Sequence, residues 1–174
     1  MIAINNKRVI VVGTGKSGIG SAVLLEQNGA IPVIYDENDK VNAKEVRKQL
    51  SEKLGFATKA QLVTGAFPKE LTKDVELCVL SPGVPVDADF VLYMKEQQIH
   101  IWGEIELAYN FTKGTVLAIT GTNGKTTTTS MVSEILLEAE KDPTITVGGI
   151  LPAIHSNVKI GHSPYFVAEA CEYF

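Results

Sequence analysis

Twice along the chain, a short apolar run ends in a glycine-rich loop that opens onto a helical stretch. Arg8–Val12 (RVIVV) leads into Gly13-Thr14-Gly15-Lys16-Ser17-Gly18, and Thr115–Thr120 (TVLAIT) leads into Gly121-Thr122-Asn123-Gly124-Lys125-Thr126. A continuous apolar run of this length reads as a strand buried on both faces, the parallel strand of an α/β fold. The first loop is followed by a helix over Ser17–Asn28, with Gly18, Ala22 and Leu25 on one face and Gly29 as its stop. Further strands are expected at Ile31–Tyr35, Gln61–Val63, Glu76–Leu80 and Ile99–Trp102. Helices are expected at Asn42–Leu54, closed by Gly55, at Ala88–Gln97 and at Glu104–Tyr109. After the second loop come a helix over Lys125–Glu138 and strands at Thr144–Val147 and Tyr165–Ala170. Strands alternating with helices predict right-handed βαβ units and mostly parallel sheets. The chain divides at Asn110-Phe111-Thr112-Lys113-Gly114 into residues 1–110 and 111–174. The second unit ends with no helix after its last strand, as a domain cut short or deliberately small would. No internal repeat or low-complexity segment is present.

Composition narrows the class. The chain has 174 residues, 45% of them apolar and 21% charged, which is the balance of a folded globular protein. Sixteen Lys and Arg against 20 Asp and Glu leave a net charge of −4 spread along the chain, which argues against a nucleic-acid surface. No apolar run approaches the roughly 20 residues of a membrane span, and the N-terminus lacks the pattern of a secretion signal. Cys78 and Cys171 lie far apart and offer no metal spacing, so the simplest setting is a reducing cytoplasm. His100, His155 and His162 read as structural or solvated.

Each loop carries its own chemistry. Gly13–Gly18 fits G-x-G-x-x-G between a strand and a helix. Glycine allows a tight turn and close approach to a phosphate, while the helix N-terminus presents free N–H groups and a positive dipole end. Asp36, at the end of the second strand, is placed to accept hydrogen bonds from a ribose. By motif alone this is a nicotinamide or flavin dinucleotide site, with the acidic Asp36-Glu37-Asn38 disfavouring a 2′-phosphate. An NAD-dependent oxidoreductase and a non-catalytic nucleotide-binding module are both open on this loop. The second loop ends in Gly124-Lys125-Thr126, the G-K-[ST] of a phosphate loop, although Ile119 stands where the motif's first glycine would fall. Backbone amides would cradle phosphates, Lys125 would neutralise them, Thr126 would reach Mg²⁺, and Thr127 could contact the α-phosphate. Thr128 and Thr129 read as helix-surface residues. Glu169 is the candidate strand-borne carboxylate that completes the Mg²⁺ site. A dehydrogenase has no use for this second loop.

The residues resemble the Mur ligases, the ATP-dependent enzymes that build the peptidoglycan stem peptide. The resemblance rests on VIVVGTGKSGIGSAVLLEQNGA, Leu80-Ser81-Pro82-Gly83-Val84-Pro85, Gly103-Glu104-Ile105-Glu106-Leu107-Ala108-Tyr109 and ITGTNGKTTTT. Residues 7 to about 130 resemble the ligase that adds D-glutamate to UDP-N-acetylmuramoyl-L-alanine. Beyond it, Val147-Gly148-Gly149-Ile150-Leu151 and Val167-Ala168-Glu169-Ala170-Cys171-Glu172 look like the ligase that adds L-alanine to UDP-N-acetylmuramate. A natural variant, a gene fusion or a hybrid would each produce this pairing. The resemblance implies a Rossmann-like UDP-sugar domain followed by the truncated start of a P-loop ATPase α/β domain. It implies that Gly15, Lys16, Ser17 and Gly18 face the diphosphate and uridine, that Asp36 and Glu37 border the uracil and ribose, and that Ser81-Pro82-Gly83 lies near the nucleotide. Gly121, Thr122, Asn123, Gly124, Lys125, Thr126 and Thr127 would bind ATP, with Thr126 and Glu169 on Mg²⁺ and Lys125 and Thr126 catalytic. The implied partners are the UDP-sugar and an amino acid, joined through an acyl phosphate. On this reading the 174 residues alone have no ligase turnover.

Overall fold

The computed structural model describes residues 4–111 and 114–170. Cys171 and Glu172, and Thr112 and Lys113 of the expected linker, lie outside them. The chain forms two compact units that divide between Leu107 and Ala108.

In the first unit, β1 (Arg8–Val12), β2 (Ile31–Asp36), β3 (Gln61–Thr64), β4 (Val75–Leu80) and β5 (His100–Gly103) form one sheet in the order β3-β2-β1-β4-β5. Every pairing is parallel. Between the strands run α1 (Lys16–Gln27), α2 (Ala43–Leu54) and α3 (Asp89–Glu96); α4 (Glu104–Phe111) follows β5 and contains the division after Leu107. Because strand residues alternate between faces, Ile10, Val12, Val33, Tyr35 and Leu80 share one face and pack with Phe90, Val91 and Met94 of α3. Val9, Val11 and Ile34 are buried on the other, where α1 runs against β1 and β2. The ends of α2 follow from two residues. The Asn42 side chain accepts from the amides of Lys44 and Glu45, and Gly55 closes the helix at φ 77°.

The order of this sheet determines where a ligand can sit. From β1 the chain moves outward through β2 and β3, then returns to the other side for β4 and β5. The reversal lies between β1 and β4, and the crevice at the C-terminal ends of these strands is where open α/β sheets bind ligands. The loops after β1 and after β4 meet there.

The second unit holds β6 (Thr115–Ile119), α5 (Lys125–Glu138), β7 (Thr144–Leu151), β8 (Ser156–Lys159) and β9 (Tyr165–Glu169). Its sheet has the order β6-β9-β7-β8. β9 pairs in parallel with β6 and β7, while β7 and β8 are antiparallel, so this sheet is mixed rather than mostly parallel. Two expectations change here. β7 extends four residues past Val147, because Gly148 and Gly149 interrupt its apolar pattern but not its extended backbone. β8, with the sequence SNVK, is too short and polar to announce itself. Thr129 is a third correction. It is fully buried, with Ser133 one turn later, so the side of α5 that is shielded from water carries hydroxyls rather than a run of large apolar residues. Ile145, Val147 and Leu151 form the core cluster beneath, with Leu137 and Ile154 against it.

Candidate functional site

The first loop is closed from within. Gly13 adopts φ 102°, and a Cβ there would stand 2.7 Å from Ser81 Oγ. A Cβ on Gly18 would lie 1.9 Å from the Gly13 carbonyl oxygen, so the start of α1 and the turn after β1 touch backbone to backbone. Asp36 is engaged with the same loop. Its Oδ2 accepts from Thr14 N at 2.9 Å and from Thr14 Oγ1 at 2.6 Å, and its Oδ1 accepts from Asn38 N at 3.0 Å. The carboxylate therefore fixes the loop against the end of β2. Thr14, which anchors it, was a free position in the motif and carried no spacing signal. Gly15 caps α1 without a side chain, leaving the amides of its first turn open, and Lys16 beside it is exposed. Ser17 is half-buried in that turn. Ser81 reaches under the loop, its hydroxyl buried and without a hydrogen-bond partner, whereas Glu37, Pro82 and Gly83 are exposed. The structure thus gathers Gly13–Gly18, Asp36 and Ser81 at the switch point of the first sheet.

Burial, with Glu37 and Asp36 close by, raises the Tyr35 phenol, which donates to the Gly65 carbonyl at 2.9 Å. Burial also pushes the Cys78 thiol up, so it remains protonated at neutral pH and is a poor nucleophile.

The second loop is open. Gly121 and Gly124 adopt φ 134° and 78°, and a Cβ on Gly124 would meet nothing within 4 Å. Gly121 through Gly124 are exposed, and Gly124 is the N-cap of α5. Lys125 Nζ donates to the Gly121 carbonyl at 2.6 Å, so the ammonium lies across the loop's own backbone. Thr127 is exposed on the first turn of the helix.

Strand pairing brings the carboxylate to this loop. β6 and β9 are in register with Ile119 opposite Glu169, so the last residue of β9 sits beside the strand end from which the loop departs. Thr126 Oγ1 donates to Glu169 Oε1 at 3.0 Å, and Gly148 N donates to Glu169 Oε2 at 2.7 Å. Glu169 is buried and Thr126 is exposed at the mouth of the helix. A hydroxyl and a carboxylate oxygen beside a helix N-terminus form a hard-oxygen donor set, which suits Mg²⁺ held jointly by protein and phosphates. Among the described residues no group of three or more His, Cys, Asp or Glu gathers as a metal cage. The part of Gly148 had one sequence signal: paired glycines inside a strand mark close backbone approach. Of the three histidines, His162 meets Asp142, and all are exposed.

Comparison with known proteins matches both units. The Mur ligase MurD-like N-terminal domain matches residues 7–103, and the Mur ligase middle domain matches residues 119–171. The UDP-N-acetylmuramoylalanine–D-glutamate ligase of Lachnospira eligens is 47% identical over 167 residues, covering 95% of this chain and 36% of its own length. The UDP-N-acetylmuramate–L-alanine ligase of Clostridium kluyveri is 37% identical over 173 residues, covering 98% and 36%. The chain therefore spans about a third of the length of these relatives. The crystal structure of the UDP-N-acetylmuramate:L-alanyl-γ-D-glutamyl-meso-diaminopimelate ligase from Neisseria meningitides superposes with a TM-score of 0.59 at 23% identity, covering 97% of this chain and 53% of that one. No helix among the described residues is long and apolar enough to cross a membrane. With an N-terminal and a middle domain matched in sequence and the same α/β architecture in a solved relative, the chain belongs to the Mur ligase family.

Proposed function

We propose that the chain supplies the two nucleotide-holding surfaces of an ATP-dependent cytoplasmic ligase that adds D-glutamate to UDP-N-acetylmuramoyl-L-alanine. The observation that carries the ATP half is the convergence of Lys125, Thr126 and Glu169 at the N-terminus of α5. The first unit, residues 1–110, holds the UDP-sugar. The α1 amides at Gly15, Lys16, Ser17 and Gly18 face its diphosphate, with Asp36 and Glu37 toward the uridine and Ser81-Pro82-Gly83 flanking it. The second unit, residues 111–174, holds ATP along Gly121–Thr127. Thr126 and Glu169 hold Mg²⁺, which supplies charge neutralisation on the phosphate oxygens. When the nucleotide arrives, the Lys125 ammonium exchanges the Gly121 carbonyl for phosphate oxygens. In the reaction, the substrate carboxylate attacks the γ-phosphorus and the bond to ADP breaks. The incoming amine then attacks the acyl phosphate, and inorganic phosphate leaves. The chain's contribution is positioning and charge neutralisation, which dominate phosphoryl transfer.

Titration calorimetry on the 174-residue chain tests this. UDP-N-acetylmuramoyl-L-alanine and ADP–Mg²⁺ are expected to bind, NADH is not, and no phosphate release is expected on adding D-glutamate and ATP. NADH binding without UDP-sugar binding would identify an oxidoreductase instead, and turnover by the chain alone would overturn the division of labour. A second reading, the L-alanine ligase, is favoured by the Clostridium kluyveri relative. Tighter binding of UDP-N-acetylmuramate than of its L-alanyl derivative would select it.

A further inference from the structure

Between its two pairing regions, β7 carries three more residues than β8. Thr146 pairs with Val158, and the next pairing is Leu151 with Ser156. On its other side, the ladder with β9 ends at Thr146 opposite Ala168. Gly148 lies two residues past that last pair, in the segment where β7 leaves both neighbours. Its amide donates to the side chain of Glu169, the residue after Ala168 on β9, at Oε2 and 2.7 Å. The other oxygen of the same carboxylate faces Thr126. A side chain here would have to push the Glu169 carboxyl group aside: a Cβ on residue 148 would lie 2.9 Å from Oε2, 3.0 Å from Oε1 and 3.1 Å from the carboxyl carbon. The neighbouring glycine is different, since a Cβ on Gly149 would only brush the Thr126 methyl at 3.4 Å.

We propose that Gly148 is a positioning residue for the phosphate–metal site: its freed amide binds one oxygen of Glu169 and so turns the other toward Thr126 and the loop. The proposal rests on the reading of Gly121–Thr126 as an ATP–Mg²⁺ site and adds to it the backbone donor that orients the carboxylate. An amide hydrogen bond to one carboxylate oxygen holds the side chain in one rotamer, as outer partners of metal ligands commonly do.

The test uses the whole chain with Mn²⁺ as the probe, counting bound ion by electron paramagnetic resonance in the presence of ADP. Gly148→Ala should weaken Mn²⁺ retention by the ADP complex at least about tenfold, while metal-free ADP affinity stays within about twofold. Gly149→Ala should leave both close to wild type. Equal Mn²⁺ affinity in Gly148→Ala and wild type overturns the proposal, as does a parallel loss of metal-free ADP binding. Wild-type chain that retains no Mn²⁺ with ADP overturns the underlying reading of the loop, a result distinct from either. A second measurement needs no change at position 148. In ¹⁵N-labelled chain, the Gly148 amide resonance should shift on Glu169→Gln, and a resonance indifferent to that change also overturns the proposal.

Discussion

The two glycine loops look alike in sequence and use their glycines for opposite purposes. In Gly13–Gly18 the glycines let backbone touch backbone, and Asp36 and Ser81 brace the loop from behind. In Gly121–Thr126 the glycines supply left-handed backbone in open space, and the interacting groups, Lys125 and Thr126, stand at the exposed mouth. The platforms differ in the same sense. The first sheet is all parallel, with apolar cover on both faces, whereas the second is mixed and closed partly by polar contacts. One loop is a packed joint and the other an open cradle, so substitutions in the first should register as stability and in the second as affinity.

The largest expected effect falls on the joint. Gly18→Ala forces a methyl against the Gly13 carbonyl, and overpacking of this kind costs about 3 kcal/mol. Thermal unfolding should show a clear loss, whereas Gly20→Ala, in the same helix with nothing within 4 Å, should be neutral or stabilise by up to about 1 kcal/mol. Equal midpoints for the two variants would break the comparison. On the cradle, Lys125→Ala removes a charge-assisted contact to phosphate of about 1.5–3 kcal/mol, roughly a tenfold to hundredfold rise in the Kd for ADP–Mg²⁺. Its unfolding midpoint should stay near wild type, because the half-buried Lys125 side chain donates to a carbonyl of its own loop rather than to the core.

These contrasts mark what the sequence made legible. β1 and the length of α5 were readable because an unbroken apolar run and a glycine loop followed by a helical stretch are local signals. The proximity of Thr126 to Glu169 was readable only as a role, since the register that unites them is made by β9 inserting between β6 and β7. Thr129 was misplaced because a buried hydroxyl has no polarity signature that separates it from an exposed one. The part of Gly148 was legible only in outline. Paired glycines in a strand signal a close backbone approach, but its contribution is a main-chain N–H whose partner is 21 residues away, and the sequence does not say which group that amide meets.

A smaller effect should come from the helix cap of the cradle. Gly124 sits at φ 78° with open space around it, so Gly124→Ala meets no clash and suffers only the conformational penalty of left-handed backbone, roughly 1–2 kcal/mol. Gly124→Asn, which tolerates that region better, should recover part of the loss. If alanine were instead as damaging as Gly18→Ala, the loop would be packed against something and the contrast between joint and cradle would fail. Unfolding midpoints for the three variants decide it.

The smallest effect belongs to a polar clasp in the second unit, and its sign can be worked out. The Asp142 carboxylate accepts from Lys159 Nζ, from His162 N at 2.9 Å, and meets His162 Nδ1 at 3.0 Å. The hydrogen bond from Lys159, then those from His162, hold its carboxyl well below the usual carboxylate range. A group whose folded value is depressed stabilises fully above its unfolded value, about 3.9 for Asp. That contribution shrinks as pH falls below this point and is gone once the pH passes beneath the folded value. Asp142→Asn should therefore lower the unfolding midpoint at pH 7, and the gap from wild type should narrow steadily below about pH 4. Because the side chain is 45% exposed, salt should shrink the gap as well. The first unit, held by apolar packing, predicts the opposite for its own variants: the Gly18→Ala deficit should be the same at pH 4 and pH 7. A Gly18→Ala gap that closed with acid, or an Asp142→Asn gap that did not, would mean that the two units do not differ in what holds them.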